Sequence, residues 1–365
     1  MREKTESSFF GRNWKLLLNI ATIVALAILV YAIRKDLVQT FENLWKVNAW
    51  FLLLMIPVQF LNYDAQARIY KGIFKTEGST IDYWHLMRVT LELNFVNHVF
   101  PSGGVTGITY FSLRLKKYGV SVAKATAAHM LKLIMIFLSF EFLIVIGVLA
   151  LAVRGHMNNL ILFIAASLVT SLVILTFGMM FIIGSKQRIA GFFSYVSVQL
   201  NRFIHMFRKG HPETIKIDRV RTLFEEMHDY YLQFSKEWRQ LGRPLLWAFM
   251  ANFWEIMTIF VVYLAFGHIV NIGAIILAYA IANSAGFVSV LPGGIGIYEG
   301  LMTLVLSATG VPSKISLPVT VMYRVVNTLI QVPAGYVAYQ DHIRHVGDDE
   351  REEMVQLEVG NDRRA

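Results

Sequence analysis

Seven ionisable side chains lie inside stretches that are otherwise apolar, and the chemistry they could perform is the first question the sequence raises. They are Arg88, Glu92, Lys132, Glu141, Glu255, Glu299 and Arg324. A charge taken out of water is costly unless it is paired or hydrated, so such residues are candidates for function. Polar neighbours of the same stretches include Asn97, Asn283 and Asn327.

Two short segments rich in proline and glycine accompany these charges. "PSGG" occupies 101–104 and "PGG" occupies 292–294, with Gly296 and Glu299 just beyond. Proline lacks an N–H group, and glycine adopts dihedral angles that other residues avoid, so each segment should interrupt a helix. A helix that restarts there has free N–H groups and a positive dipole end, which favour a phosphate or a carboxylate.

Several of the charged residues have a structural interpretation beside a functional one. Arg88 and Glu92 are four residues apart and can form an ion pair along one helix face. Glu141 and Glu255 either pair with Lys132 or a neighbouring amide to fix packing, or take part in transport. We favour a functional role for Glu299 and Arg324, because Glu299 adjoins an interruption and Arg324 faces the same half of the chain.

Two histidines in the apolar stretches also have either a structural or a functional interpretation. His98 and His129 fit hydrogen-bonded core residues better than metal ligands. We therefore expect no metal site and no cofactor.

The composition indicates the kind of environment in which these residues lie. The chain has 365 residues, of which 55% are hydrophobic and only 16% are charged. Residues 16–33 and 160–184 contain no charge, and 245–267 contains only Glu255. Each stretch is long enough to cross a bilayer core of about 30 Å. The sequence thus predicts an all-α, polytopic membrane helix bundle.

We predict eight spanning segments and two shorter apolar segments that follow the Pro-Gly interruptions. The spans are 16–33, 48–63, 83–100, 123–153, 160–184, 245–267, 273–290 and 316–340, and the shorter segments are 101–113 and 292–308. Lys and Arg are concentrated in one alternate set of connections, which holds 26 of them against five in the other set. By the positive-inside rule both termini are cytoplasmic.

This orientation makes residues 83–115 a broken hairpin entering from the cytoplasm, and 273–310 a second one entering from the outside. Shifted by 191 positions, 96–120 aligns with 287–311 without gaps, and seven of 25 positions are identical. Interrupted segments at corresponding places in two halves are typical of transporters with inverted repeats. The alternative is two unrelated kinked helices.

The remaining segments complete the domain organisation. Residues 1–15 form a cytoplasmic tail and 16–340 the membrane domain. Within it, 185–243 is a basic amphipathic connection, which either lies on the cytoplasmic leaflet or caps the bundle. Residues 341–365 are charged and poor in large apolar residues, so we predict a disordered tail.

Few catalytic chemistries fit this sequence. There is no cysteine, which excludes disulfides, thiolate zinc sites and cysteine nucleophiles. The sequence contains no phosphate-binding P-loop, zinc-protease helix or serine-hydrolase elbow. The net charge of +9 is explained by cytoplasmic loops, so we expect no nucleic-acid partner. We expect that the protein is not an enzyme.

Three stretches carry a family likeness: "NHVFPSGGVTGITYFSLRLKKYGVS", "LPGGIGIYEG" and "YRVVNTLIQVPAG". Over about residues 15–340 the chain resembles the lysylphosphatidylglycerol synthase transmembrane-region family of flippase-like membrane proteins. That family includes the N-terminal half of the multiple peptide resistance factor, which moves aminoacylated lipid across the membrane. Stand-alone members have proposed roles in lipid or polyprenyl-linked glycan handling.

The resemblance implies a multi-pass lipid flippase of the plasma membrane of a bacterium or archaeon. The positions that match the family's motifs, and that it implies bind substrate, are Asn97, Pro101, Gly103, Gly104, Arg114, Pro292, Gly293, Gly294, Gly296, Glu299 and Arg324. Arg88, Glu92, Lys132, Asn283 and Asn327 are secondary candidates. Two departures limit the likeness: "VTGITY" lacks the acidic residue of many members, and the chain ends without the domain that transfers lysine. We therefore expect no synthase activity.

The resulting hypothesis is an uncoupled or gradient-coupled translocator of an anionic or polyprenyl-linked lipid, with the headgroup held at the two half-helix N-termini. Its partners would be membrane lipids, joined either by another copy of the chain or by the enzyme that makes the lipid. Two alternatives belong to other classes. One is an accessory or catalytic subunit that transfers glycans on polyprenyl phosphate, and the other is a structural scaffold.

Overall fold

The computed structural model describes residues 47–76, 78–99, 105–153, 159–188, 238–286 and 296–362, together with isolated positions between 24 and 42 and between 191 and 236. Within these ranges the chain folds into helices joined by short turns. The helices are α1 (Ala49–Leu53), α2 (Met55–Thr76), α3 (Tyr83–Val99), α4 (Val105–Lys116), α5 (Val122–Val153), α6 (Asn159–Ile183), α7 (Gly242–Ala265), α8 (Ile272–Gly286), α9 (Ile297–Ala308) and α10 (Ser313–Asp362). A 3₁₀ turn, Trp238–Leu241, precedes α7.

Four of the described helices are long and apolar enough to cross a membrane. These stretches are Val122–Val153, Ile161–Ile182, Arg239–Ala265 and Ser313–Asp341. Long runs of Leu, Ile, Val, Phe and Ala have no way to be solvated in water, and a helix satisfies their backbone groups internally. The prediction of a polytopic helical membrane bundle is confirmed.

The helices on either side of each Pro-Gly segment are short. α3 ends at Val99 and α4 begins at Val105, and α8 ends at Gly286 before α9 begins at Ile297. α4 and α9 have 12 residues each. At 1.5 Å per residue each rises about 18 Å, which is less than the bilayer core of about 30 Å. Re-entrant hairpins and their inverted relation stay predictions, since the interruptions themselves lie outside the described residues.

The core consists mainly of two large buried clusters that share helices α5 and α7. One large buried cluster contains residues of α5, α7, α8, α9 and α10, and another contains residues of α2, α3, α4, α5 and α7. α7 packs along α2, whereas α10 packs against both α3 and α9. α10 is therefore in contact with the helix before the first Pro-Gly segment and with the helix after the second.

α2 is longer than the sequence predicts. The predicted span 48–63 is observed as α1, a turn at Leu54, and α2 continuing to Thr76. Polar residues after position 61 indicated a boundary, but one face of the helix buries them. Asn62 Nδ2, for example, donates a hydrogen bond of 2.7 Å to the carbonyl of Ala251 on α7.

The C-terminal segment also differs from expectation. We predicted a disordered tail over 341–365, whereas α10 continues to Asp362. Glu, Arg, Gln, Met and Leu have high helix propensity, and extending a packed helix avoids the unfavourable nucleation step. Composition poor in large apolar residues excludes a core here, but it does not exclude a helix.

A close backbone approach fixes α10 against α3. A Cβ atom added to Gly335 would lie 2.4 Å from Cβ of Phe95 and 2.7 Å from the carbonyl oxygen of Leu91. Pro318 and Pro333 also lie inside α10, where each removes a backbone hydrogen bond.

We expect Gly335→Ala to lower the free energy of unfolding by about 1–3 kcal/mol, because the two backbones must separate to admit the methyl group. Gly178→Ala is the matched control, since a Cβ there meets nothing within 4 Å and alanine favours a helix. Thermal unfolding in detergent, followed by tryptophan fluorescence, measures both. Equal melting temperatures for the two variants would contradict the close approach.

Candidate functional site

Three of the predicted site residues meet at the start of α9. Gly296 takes a left-handed backbone conformation, with φ of +86°, as the residue preceding the helix. Its N–H donates a hydrogen bond of 2.7 Å to Oε2 of Glu299, and Nη1 of Arg324 on α10 donates to Oε1 of the same carboxylate. Glu299 therefore holds both a backbone donor of the helix N-terminus and a guanidinium group.

This ion pair is largely shielded. The side chains of Arg324 and Glu299 are 19% and 7% exposed. The guanidinium carbon of Arg324 also lies 5.0 Å from the centre of the Tyr298 ring, a distance that allows a cation–π interaction. An unpaired charge at this burial would be costly, so each partner stabilises the other.

The end of α3 approaches the same place. His98, in the last turn of α3, hydrogen-bonds through Nδ1 with the carbonyl of Asn94 at 2.9 Å, which confirms the hydrogen-bonded interpretation. His98 also lies within electrostatic range of Arg324. Arg324 therefore contacts the first turn of α9 and lies in the neighbourhood of the last turn of α3.

A second ion pair joins the helices of the first hairpin. Nε of Arg114 on α4 donates to Oε2 of Glu92 on α3 at 2.8 Å, and the hydroxyl of Tyr110 donates to the same oxygen at 2.8 Å. The side chains of Arg114 and Glu92 are 5% and 0% exposed. Arg114 is thus bound to Glu92 in this conformation rather than presented to a headgroup.

The predicted pairing of Arg88 with Glu92 is wrong. Nη1 of Arg88 instead lies 2.8 Å from Oδ2 of Asp341 on α10, and both side chains are well exposed. The spacing of four residues permits the local pair, but the partner on α4 lets Glu92 be buried together with a cation. Local spacing alone does not contain that information.

The other predicted residues lie in separate places. The side-chain oxygen of Asn97 lies against Gly107, close to the position that a Cβ atom would take if residue 107 were not glycine. Asn283 Nδ2 is 3.4 Å from the hydroxyl of Tyr279, and Asn327 contacts Glu255. Pro101, Gly103, Gly104, Pro292, Gly293 and Gly294 lie outside the described residues.

Lys132 bonds to neutral groups. Its Nζ donates a hydrogen bond of 2.9 Å to Oε1 of Gln66 and lies 4.6 Å from the centre of the Tyr70 ring. The hydroxyl of Tyr70 in turn hydrogen-bonds with Nδ1 of His129 at 2.8 Å. His129 is therefore a hydrogen-bonded core residue.

The two remaining acids have neutral partners. Glu141 accepts a hydrogen bond from Thr176. Glu255 accepts from the amides of Gln59 and Asn327, in agreement with the interpretation that it pairs with a neighbouring amide.

Sequence reasoning missed a buried polar stripe on α2. Gln59, Asn62 and Gln66 are spaced by three and four residues, so they lie on one helix face. Gln59 contacts Glu255, Asn62 accepts from Gln66, and Gln66 contacts Lys132. Three amides at helical spacing in an apolar segment were the available signal.

An apolar groove lies at the C-terminal ends of α5 and α7, beside the turn that leads into α8. Its volume is about 580 Å³, within the range of ligand-binding cavities. Its lining has no charged side chain and consists of Ile146, Leu149, Ala150, Val153, Phe260, Ile269, Val270, Asn271 and Ile272. Such a groove suits a hydrocarbon chain and offers nothing to an anionic headgroup.

Comparison with known proteins agrees with this architecture. A model of the lysylphosphatidylglycerol synthase transmembrane region matches residues 17–335. A UPF0104 membrane protein of Methanocaldococcus jannaschii is 22% identical over 328 residues, covering 88% of this chain and 93% of the relative. One from Methanothermobacter thermautotrophicus is 23% identical over 318 residues, covering 85% of this chain and 90% of the relative.

A third relative, a UPF0104 membrane protein of Pyrococcus horikoshii, is 21% identical over 334 residues, with 88% of this chain and 94% of the relative covered. These similarities extend over nearly the whole membrane domain rather than over one motif. Since the family match covers most of the chain, this protein is a member of the lysylphosphatidylglycerol synthase transmembrane-region family.

Proposed function

We propose that this membrane protein translocates an anionic lipid or polyprenyl-linked lipid across the plasma membrane. The observation that carries the proposal is the buried cluster at the start of α9, where Arg324 and the Gly296 N–H both donate to Glu299. His98 marks the end of α3, Glu299 marks the start of α9, and Arg324 lies near both. A lipid phosphate or carboxylate needs a cation and N–H donors within the membrane, and this place combines them.

Glu299 would act as an internal substitute for the headgroup. Its carboxylate oxygens accept from the Gly296 N–H and from Arg324, the two donors that an anionic headgroup would use. An arriving headgroup would therefore compete with Glu299, and displacement of Glu299 would open the site. The lipid chains would stay in the bilayer or along apolar surfaces such as the groove between α5 and α7.

The proposal is tested by reconstituting the full-length protein into phosphatidylcholine vesicles that carry a trace of fluorescent phosphatidylglycerol. Quenching of outer-leaflet dye measures how fast the lipid crosses. We expect wild type to move the labelled lipid faster than empty vesicles, and Arg324→Met to slow it at least tenfold. Loss of a charged hydrogen bond of about 1.5–3 kcal/mol corresponds to that factor.

Arg88→Met is the matched control. Arg88 is also ion-paired, but its side chain is well exposed and its partner is Asp341 rather than a residue of α9. It should stay within about twofold of wild type, as expected for a surface pair worth less than about 1 kcal/mol. Rates equal to those of empty vesicles for wild type would overturn the proposal for this lipid. Turnover of a nucleotide sugar on a polyprenyl phosphate carrier would support the transferase instead.

A further inference from the structure

Glu255 is a buried carboxyl group whose partners are all neutral. It lies on α7 between α2 and α10. Its Oε1 accepts from the hydroxyl of Tyr323 at 2.6 Å and from Nδ2 of Asn327 at 3.2 Å, and its Oε2 accepts from Nε2 of Gln59 at 3.2 Å. Among the described residues no Lys, Arg or His lies within salt-bridge distance of this carboxyl.

The contrast with the other buried acids is informative. Glu92 and Glu299 each face an arginine, which offsets the cost of removing a carboxylate from water. Glu255 is only 9% exposed and lacks that compensation. An ionised carboxylate in such a place costs several kcal/mol, and a bound proton removes the cost.

The hydrogen bonding around Glu255 also has too many acceptors. Oε1 of Gln59 and Oδ1 of Asn327 are buried without a hydrogen-bond partner, although both amides contact Glu255. Amide oxygen and nitrogen positions can be exchanged by rotating the side chain by 180°. A proton on Glu255 would supply a donor for a rotated Gln59, whose Oε1 would then replace Nε2 at the 3.2 Å contact with Glu255 and at the 3.1 Å contact with the Thr258 hydroxyl.

The titratable groups that face Glu255 are phenols. They come from each neighbouring element: Tyr63 of α2, Tyr279 of α8, Tyr298 of α9 and Tyr323 of α10. α1 has no titratable side chain, and Lys132 of α5 contacts Gln66 and Tyr70. Phenols are neutral at physiological pH, so none of these groups supplies a charge to Glu255.

We propose that Glu255 is a proton-binding site that carries its proton in the conformation described here. Loss of the proton places a bare negative charge among α2, α7 and α10 and weakens their packing. α10 also places Arg324 directly after Tyr323, so the proton site and the Glu299–Arg324 pair share one helical turn. Coupling of this proton to lipid movement rests on the proposed function, whereas the proton site itself does not.

Infrared spectroscopy of the purified full-length protein in a maltoside detergent, which has no carbonyl group of its own, tests the site without any transport. A protonated carboxyl has a carbonyl stretch that an ionised carboxylate lacks. We expect this band at neutral pH, its disappearance on raising the pH, and its loss in Glu255→Gln. Glu255→Asp, which keeps a carboxyl, should retain the band at a displaced frequency and shows that loss of the band is not loss of the fold.

Glu92→Gln is the matched control, since Glu92 is also buried but paired with Arg114, and it should leave the band unchanged. A neutral-pH spectrum without the band, or one that Glu255→Gln leaves intact, overturns the proposal. So does a band that appears only when sodium is replaced by choline, because Glu255 would then bind a metal cation. Passive lipid movement with the band present would refute only the coupling, and absence of lipid movement would refute only the proposed function.

Discussion

Replacing Arg114 with methionine is expected to lower the free energy of unfolding by about 3–5 kcal/mol. The variant leaves Glu92 fully buried with only Tyr110 as a partner, and an uncompensated buried charge costs this much. The double variant Arg114→Met with Glu92→Gln removes both charges and should recover most of the loss. Denaturant titration in detergent micelles measures the three free energies.

Arg88→Met provides the comparison for that experiment. Arg88 and Asp341 form an ion pair of the same 2.8 Å length, but their side chains are 50% and 38% exposed. Removal of an exposed pair costs less than about 1 kcal/mol. If Arg114→Met and Arg88→Met proved equally stable, the Glu92–Arg114 pair would not hold α3 and α4 together.

The second large effect concerns Glu299. Glu299→Gln is expected to cost about 3–5 kcal/mol, because it removes the charge of a buried carboxylate that pairs with Arg324 and weakens the cap of α9. Arg324→Met should cost less, about 1–3 kcal/mol, because the remaining carboxylate still accepts from the Gly296 N–H at the helix N-terminus. The order of the two losses therefore reports the capping role of Glu299.

The same variant separates headgroup binding from release. If Glu299 competes with the headgroup for Arg324, Glu299→Gln should bind phosphatidylglycerol more tightly, by about tenfold or more, and move it more slowly than wild type. Equilibrium binding in detergent and the vesicle assay give the two quantities. Weaker binding by Glu299→Gln would show that the carboxylate helps to hold the lipid and does not substitute for it.

The sequence was a good guide to the helices because their signals are local. α5 at Val122–Val153 and α6 at Asn159–Ile183 match the predicted 123–153 and 160–184 within a residue or two. The end of α3 at Val99 also agrees with Pro101 two residues downstream, since a proline disfavours helical backbone in the residue before it.

The contacts within the site were harder to predict from the sequence, because they depend on which helices pack against each other. Glu92 is 22 residues from Arg114, and Glu255 is 68 from Tyr323 and 196 from Gln59. No periodicity connects such positions. Glu299 was singled out because it adjoins an interruption and Arg324 because it faces the same half, but their direct contact depends on the packing of α9 on α10.

The two prolines of α10 divide that helix into sections that can tilt separately. The section between Pro318 and Pro333 carries Tyr323 and Asn327, which hold Glu255, and Arg324, which holds Glu299. A tilt of this section would disturb both sets of contacts in a single movement. Under the proposed function, the proton site and the headgroup site would then change together rather than one at a time.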